Sequence, residues 1–380
     1  MIDSQAFLQY LISEGLNSFF GVPDSLLKSL NSEIAVSEDV RDHVVCANEG
    51  AAVGCAVGHF LGSGDMAVVY LQNSGLGNTV NPLLSIADPS VYSVPMLIII
   101  GWRGEPGVKD EPQHMRQGEL TAQLLNDLGV VTRTVTREDH AGWREKVGFL
   151  IESSRRERRA VALVVGKDTF QPSQKSKSLS SGPNQLLRES ALEIVIGKIP
   201  PEDLTVATTG MLGRELYELR NPPKEDVHDF LNVGGMGHTS SIALGLSLAQ
   251  PGKRIWCLDG DGSAIMHLGS LAVIAGEKPK NLKHIVFNNR AHDSVGGQPT
   301  AAESFSFAPV ARALGYELGL TATTEDEIAD GIEKLLDCSG PALLEINIRR
   351  GCREDLGRPQ ESPRELIDKM MITLGVSSSK

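Results

Sequence analysis

Arg254-Ile-Trp-Cys-Leu-Asp259 runs straight into Gly260-Asp261-Gly262-Ser263, and after 24 further residues the chain reads Asn288-Asn289. The first stretch is mostly apolar and predicts a buried strand. Ile265-Met-His-Leu-Gly-Ser-Leu-Ala-Val-Ile-Ala275 carries apolar residues at helical spacing, and His284-Ile-Val-Phe287 predicts a second strand ending on the Asn pair. A strand–helix–strand crossover of this length lays the two strands parallel and adjacent. Gly260–Ser263 and Asn288-Asn289 then share the carboxyl edge of one sheet, where open α/β sheets bind ligands. Glycines there let backbone N–H groups approach a diphosphate. One carboxylate and one amide oxygen, completed by water and phosphate oxygens, suit octahedral Mg²⁺. Gly-Asp-Gly alone reads better as a tight turn with Asp261 capping a helix; the Asn pair at this spacing argues for the diphosphate–metal site.

Around this core the chain has 380 residues, 41% of them apolar, and a formal charge of −12, with room for two domains. The acidic balance and the lack of a basic stripe interleaved with aromatics argue against a nucleic-acid partner. Arg155-Arg156-Glu157-Arg158-Arg159 ends a helical pattern and reads as a solvated helix end. Five cysteines, Cys46, Cys55, Cys257, Cys338 and Cys352, show no metal-ligand spacing and read as reduced thiols of a cytoplasmic protein. The first fifteen residues read as an amphipathic helix closed by Gly15, not a signal peptide. Pro95-Met-Leu-Ile-Ile-Ile100 is far too short to span a bilayer, so no membrane partner is expected.

Residues 171–184, Gln-Pro-Ser-Gln-Lys-Ser-Lys-Ser-Leu-Ser-Ser-Gly-Pro-Asn, read as a linker between domains at 1–170 and 185–380. Each half alternates short apolar strands with amphipathic helices, which predicts an α/β fold of two doubly wound parallel sheets. In the first half strands are expected near Phe19-Phe20, Val44-Val45, Met66–Gln72, Met96–Ile100, Val131–Val135 and Val161–Val165. In the second they are expected near Leu204–Thr208, Asp229–Val233, Ile255–Leu258, Ile285–Phe287, Tyr316–Leu320 and Ala342–Ile348. The halves share no residue-level repeat.

Two further segments join the first. Glu49 follows the apolar run Val44-Val-Cys-Ala47 and opens a helix of small residues, and Gly234-Gly-Met-Gly237 follows the strand Asp229–Val233. Taken in order, Glu49, Gly234–Gly237 and Gly-Asp-Gly…Asn-Asn resemble the thiamin-diphosphate motif of the superfamily that includes pyruvate decarboxylase and transketolase. Phe20-Gly-Val-Pro-Asp-Ser25, Leu71–Asn78, Gly101–His114 and Asn288–Thr300 narrow the resemblance to the phosphonopyruvate decarboxylase family, with the sulfopyruvate decarboxylases as kin. It covers nearly the whole chain apart from the linker and the tail after about Arg364.

The resemblance implies a pyrimidine-binding first domain and a diphosphate-binding second domain, with no middle domain between them. It implies thiamin diphosphate and Mg²⁺ as cofactors. Asp261 and Asn289 side chains and the Ala291 carbonyl would hold the metal. Gly260, Gly262, Ser263 and Ala264 would lie along the diphosphate, Met236 would wedge between the cofactor rings, the Gly234 carbonyl would accept from the pyrimidine amine, and Glu49 would hydrogen-bond the pyrimidine ring. The implied reaction is non-oxidative decarboxylation of 3-phosphonopyruvate to phosphonoacetaldehyde and CO₂. Its rivals are sulfopyruvate decarboxylation, carboligation or transfer on another 2-keto acid, and a non-catalytic cofactor binder. Both ligand edges face outward, so one cofactor would be shared between chains of a homodimer or larger homo-oligomer. For the anionic substrate group the candidate cations are Arg103, Lys109, His114, Arg116 and His292, with Ser25, Asn73, Ser74 and Asn78 as neutral donors. Arg290 stands where a small residue often follows the Asn pair. The adjacent His pair of pyruvate decarboxylases is absent, and Val295 stands where those enzymes place an acid, which argues against a pyruvate decarboxylase role and leaves the proton donor unassigned, with Asp24 and His292 as candidates.

Overall fold

The computed structural model describes residues 1–172, 186–220, 228–353 and 355–376. Beyond Pro172 the expected linker lies outside the described residues. The chain divides into two compact units, Met1–Leu179 and Ser180–Lys380.

The first unit carries strands β1 (Ser18–Gly21), β2 (Asp42–Val45), β3 (Ala67–Gln72), β4 (Met96–Gly101), β5 (Val131–Val135) and β6 (Ala160–Val165) in one sheet of order β2-β1-β3-β4-β6-β5. Every neighbouring pair is parallel. Parallel strands are covered by helices on both faces, so central ones are apolar throughout. β4 shows this, with all six residues of Met96-Leu-Ile-Ile-Ile-Gly101 buried. Side chains alternate between the faces: Leu97, Ile99, Val161 and Leu163 pack against one set of helices, and Ile98, Ile100, Ala162 and Val164 against the other. The first helix runs Ser4–Ser13 behind Asp3, whose side chain accepts from the Ala6 N–H, and is followed by Gly15 at φ +80°. The Arg155–Arg159 run closes the helix Trp143–Glu157 in surface ion pairs with Glu14, Glu152 and Glu157.

The second unit carries β7 (Leu204–Ala207), β8 (Asp229–Leu231), β9 (Ile255–Gly260), β10 (Leu282–Asn288), a hairpin of β11 (Ala291–His292) and β12 (Gln298–Pro299), then β13 (Leu318–Ala322) and β14 (Ala342–Asn347). Its main sheet has the order β13-β14-β10-β9-β7-β8, again parallel throughout. Numbered from its own first strand and leaving the hairpin aside, each sheet reads 2-1-3-4-6-5. The halves are topological copies without sequence repetition.

All twelve expected strands are present, with ends shifted by a few residues. Two features differ from expectation. The helix after Gly260 is two helices, Asp261–Met266 and Gly269–Glu277, because His267 leaves helical geometry (φ −130°, ψ 52°) and its ring stacks on His238 at 4.7 Å. The hairpin was not anticipated; it turns through Gly296 and Gly297, both at positive φ. Among the described residues no helix is long and apolar enough to cross a membrane. All five cysteines are free; Cys46 and Cys257 are buried, whereas Cys55 is exposed.

Candidate active site

In the second unit the parallel pairing of β9 and β10 places Gly260-Asp261 beside Asn288-Asn289 at the carboxyl edge. Asp261 begins the helix after β9 and is 3% exposed. Its Oδ2 accepts from Thr300 Oγ1, yet burial pushes its pKa up to about 7, with the nearby Asp293 charge acting in the same direction. Among the described residues this carboxylate has no positive partner.

The two asparagines diverge. Asn288 donates from Nδ2 to Glu345 Oε1 at 2.8 Å, tying β10 to β14. Asn289 donates from Nδ2 to Asp293 Oδ2 at 2.7 Å, and its Oδ1 accepts from the Ala291 N–H at 3.0 Å. Ala291 is buried at the start of the hairpin. Hard oxygens and a carboxylate without a cation are the donor set Mg²⁺ prefers, so the residues fit that ion.

Ser263 ties the glycine loop to this edge. Its Oγ accepts from Thr208 Oγ1 at 3.0 Å and from the Gly237 N–H at 3.2 Å. Gly262 is a close-approach glycine: a Cβ there would press on the His292 ring at 2.9 Å and the Met236 methyl at 3.4 Å. Met236, Gly262 and His292 therefore meet, although 56 residues separate the first from the last. His292 is half-buried, and burial pulls its pKa down to about 4, so its imidazole is neutral at pH 7. Gly234 lies half-buried in the loop before Met236, Ala264 is buried within the short helix, and Arg290 is exposed.

In the first unit Glu49 opens the helix Glu49–Ser63 behind Asn48, whose side chain accepts from the Ala51 N–H at 2.9 Å. Glu49 is 5% exposed, and its Oε2 accepts from Asn78 Nδ2 at 2.7 Å. A Cβ on Gly75 would overlap the Glu49 carboxylate, so that glycine is a condition of the acid's position. Asn78 thus holds Glu49.

A second cluster lies beyond β1, β3 and β4. Asp24 is fully buried; its Oδ1 accepts from Gln72 Nε2 at 2.7 Å and its Oδ2 from the Leu26 N–H at 3.0 Å. Burial pushes the Asp24 pKa up. Arg103 donates from Nε to Asp110 Oδ2 at 2.8 Å, from Nη2 to the other oxygen of Asp110, and from Nη1 to Ser25 Oγ at 3.1 Å. His114 Nδ1 lies 3.1 Å from Asp110 Oδ1. Burial works against the Asp110 charge, but Arg103, the Gly104 and Glu111 N–H groups and His114 together hold its carboxyl far below the usual range. Asn73 clasps the Arg103 backbone, donating to its carbonyl at 2.7 Å and accepting from its N–H at 3.1 Å. Ser25, Asn73, Arg103 and His114 are thus brought together. Lys109 is exposed, and Arg116 pairs with Glu119 at the surface.

Asp110, Asp293 and Thr300 escaped the sequence reading. They are neither cations for an anionic substrate nor ligands for a metal; each contacts a residue of one of those kinds. Asp110 sits seven residues from Arg103 across a loop with Gly104 and Gly107 at positive φ, so no regular spacing marks the pair.

Residues 3–125 match the family described as "Thiamine pyrophosphate enzyme, N-terminal TPP binding domain", and residues 206–346 match "Thiamine pyrophosphate enzyme, C-terminal TPP binding domain". The first unit accordingly carries the N-terminal and the second the C-terminal thiamin-diphosphate-binding domain. A phosphonopyruvate decarboxylase of Streptomyces hygroscopicus is 35% identical over 96% of this chain and 92% of that protein. Another, from Streptomyces viridochromogenes, is 34% identical over 96% of this chain and 93% of that protein. A sulfopyruvate decarboxylase of Methanosarcina acetivorans is 26% identical over 90% of each chain. The chain belongs to the phosphonopyruvate decarboxylase family of thiamin-diphosphate-dependent enzymes.

Proposed function

We propose that the protein decarboxylates 3-phosphonopyruvate to phosphonoacetaldehyde and CO₂, with Mg²⁺ anchoring the diphosphate of its cofactor. The near-full-length likeness to two phosphonopyruvate decarboxylases carries this reading. Sulfopyruvate is the second reading. Having both units in one chain does not separate the two, because the Methanosarcina sulfopyruvate enzyme also spans both. What favours the phosphonate is the higher identity over equal or greater length.

Thiamin diphosphate supplies an electron sink for the bond that breaks as CO₂ leaves. The chain supplies placement and proton control. Asp261 and Asn289 side chains, with the Ala291 carbonyl, would hold the cation, and Gly260, Gly262, Ser263 and Ala264 would flank the diphosphate. Met236 would set the angle between the cofactor rings, and Glu49, steadied by Asn78, would exchange a hydrogen bond with the pyrimidine. Asp24 is the better proton donor of the two candidates. Burial favours its protonated form, whereas His292 is neutral near pH 7 and suits accepting a hydrogen bond. Arg103, Lys109, His114, Ser25 and Asn73 are the proposed phosphonate contacts, with Arg103 and His114 aimed by Asp110. The protein would act as a homodimer or larger assembly in the cytoplasm, with each site shared between chains.

The test is a coupled aldehyde assay of purified protein with thiamin diphosphate and Mg²⁺ on phosphonopyruvate, sulfopyruvate and pyruvate side by side. Phosphonopyruvate should give the highest kcat/KM. Preference for either competitor would overturn the substrate while leaving the cofactor class standing.

A further inference from the structure

A primary carboxamide has two ends of nearly equal shape, and only the oxygen end can serve a cation. The metal reading above needs the Asn289 oxygen to face the ion. Its nitrogen end is committed to Asp293 Oδ2 at 2.7 Å, and its Oδ1, which accepts from the Ala291 N–H at 3.0 Å, keeps a second lone pair for the ion. Asp293 is itself fixed. Its Oδ2 accepts from the Gly351 N–H at 2.9 Å and lies 3.9 Å from Arg188 Nη1. Arg188 is buried and held by two hydrogen bonds to the fully buried Glu215, at 2.8 and 2.9 Å. Asp293 also belongs to the hairpin segment that ends at Thr300, the residue whose hydroxyl donates to Asp261. One short segment thus contacts both proposed side-chain ligands, Asn289 through its amide nitrogen and Asp261 through one carboxylate oxygen.

We propose that Asp293 is a positioning residue, which selects the end of the Asn289 carboxamide presented to the cation and is itself held by the Arg188–Glu215 pair. The proposal rests on the Mg²⁺ reading, and its test separates the two. Orienting partners of metal ligands are typically worth about 10–100-fold in metal affinity. Calorimetric titration of Mg²⁺ into protein with thiamin diphosphate gives that affinity without relying on turnover. Asp293→Ala should lose it by about that factor, with the thermal midpoint of the cofactor-free protein close to wild type. Asp293→Asn removes the charge but keeps an oxygen that accepts from Asn289, so it should bind Mg²⁺ roughly tenfold more tightly than Asp293→Ala. Equal losses in these two variants would assign the effect to charge alone and overturn the positioning role.

A rescue sharpens the test. Asn289→Asp offers an oxygen at either end, so orientation no longer matters. Alone it should bind Mg²⁺ poorly, because a second carboxylate faces Asp293. Combined with Asp293→Ala it restores the site's net charge and should recover affinity to within about threefold of wild type. Failure of that recovery, or wild-type affinity in Asp293→Ala, overturns the proposal. Should the alanine variant not fold, Asp293→Asn decides: a loss much beyond tenfold refutes positioning. Cofactor binding by the wild type that needs no divalent ion would instead bring down the metal reading, and the proposal with it.

Discussion

The two units share the strand order 2-1-3-4-6-5 but treat the same edge in opposite ways. Beyond its third and fourth strands the first unit places Gln72-Asn73 and Arg103, and all three are satisfied internally, by Asp24, the Arg103 backbone, Ser25 and Asp110. Beyond the equivalent strands the second unit places Asp261 and Asn289, where a buried carboxylate has no cation and its pKa climbs to about 7. The fold fixes where ligands meet a doubly wound sheet. Whether that edge closes on itself or leaves a carboxylate without a counter-charge depends on whether the opposite charge is built in among the described residues. The first unit has Arg103 for Asp110; the second has Thr300 and Asp293 for Asp261 and Asn289, neither of them positive.

The largest effect should come from the open edge. Asp261→Ala removes the hard anionic ligand and should abolish measurable thiamin diphosphate binding, not catalysis alone. Unchanged cofactor affinity and Mg²⁺ requirement in calorimetry would reduce Gly260–Ser263 to a turn and erase the contrast between the units.

Glu49→Gln should act on chemistry rather than binding. It keeps size and the contact with Asn78, and should slow exchange of the cofactor's C2 proton by on the order of 10²–10⁴-fold. Affinity for thiamin diphosphate should stay near wild type. Exchange at the wild-type rate, followed by NMR in D₂O, would remove Glu49 from the mechanism. Gly75→Ala, which displaces the Glu49 carboxylate, should weaken exchange in the same way.

A smaller effect separates the two cations of the closed edge. Arg103→Met leaves the half-buried Asp110 without its cation and should cost roughly 1–3 kcal/mol in urea unfolding, besides its effect on substrate. Lys109→Met should leave stability within about 0.5 kcal/mol while lowering kcat/KM for phosphonopyruvate about tenfold relative to pyruvate. A Lys109 variant equally impaired on both substrates would mean that Lys109 supports its loop and does not touch the phosphonate.

How far the sequence could be read follows from the same physics. β3, β4, β6, β9 and β10 are buried on both faces, so their apolar runs announce them. That Gly260–Ser263 and Asn289 share one sheet edge was legible because a strand–helix–strand crossover lays its two strands parallel and adjacent. The hairpin was not, since two residues per strand carry no period. The links Asn78–Glu49, Asp110–Arg103 and Asp293–Asn289 are side-chain contacts at separations of 29, 7 and 4 residues, and no helix spans either short pair to give those spacings a meaning. Residue type proposed Arg103 as a phosphonate contact; only the structure reveals that Asp110 already engages it.

The smallest predicted effect sets the second strands against each other. His43 in β2 is drawn by burial to a pKa of about 4 from 6.5, and His43 Nε2 lies 2.9 Å from Tyr70 Oη. Asp229 in β8 is pushed the other way: burial raises its pKa, although Arg220 stands 3.3 Å off. A depressed histidine keeps its folded form neutral while the unfolded chain takes up a proton. Its stabilisation is therefore present above pH 6.5 and lost as pH falls toward about 4. A raised carboxyl contributes in the opposite sense: its stabilisation is present in acid and lost as pH rises. Mild acid should consequently loosen β2 before β8. Amide hydrogen exchange at pH 6.5 and 4.5, corrected for intrinsic rates, should show protection of β2 falling while that of β8 holds. His43→Gln should flatten the fall in β2 and leave β8 alone; an unchanged acid response of β2 in that variant would sink the assignment to His43.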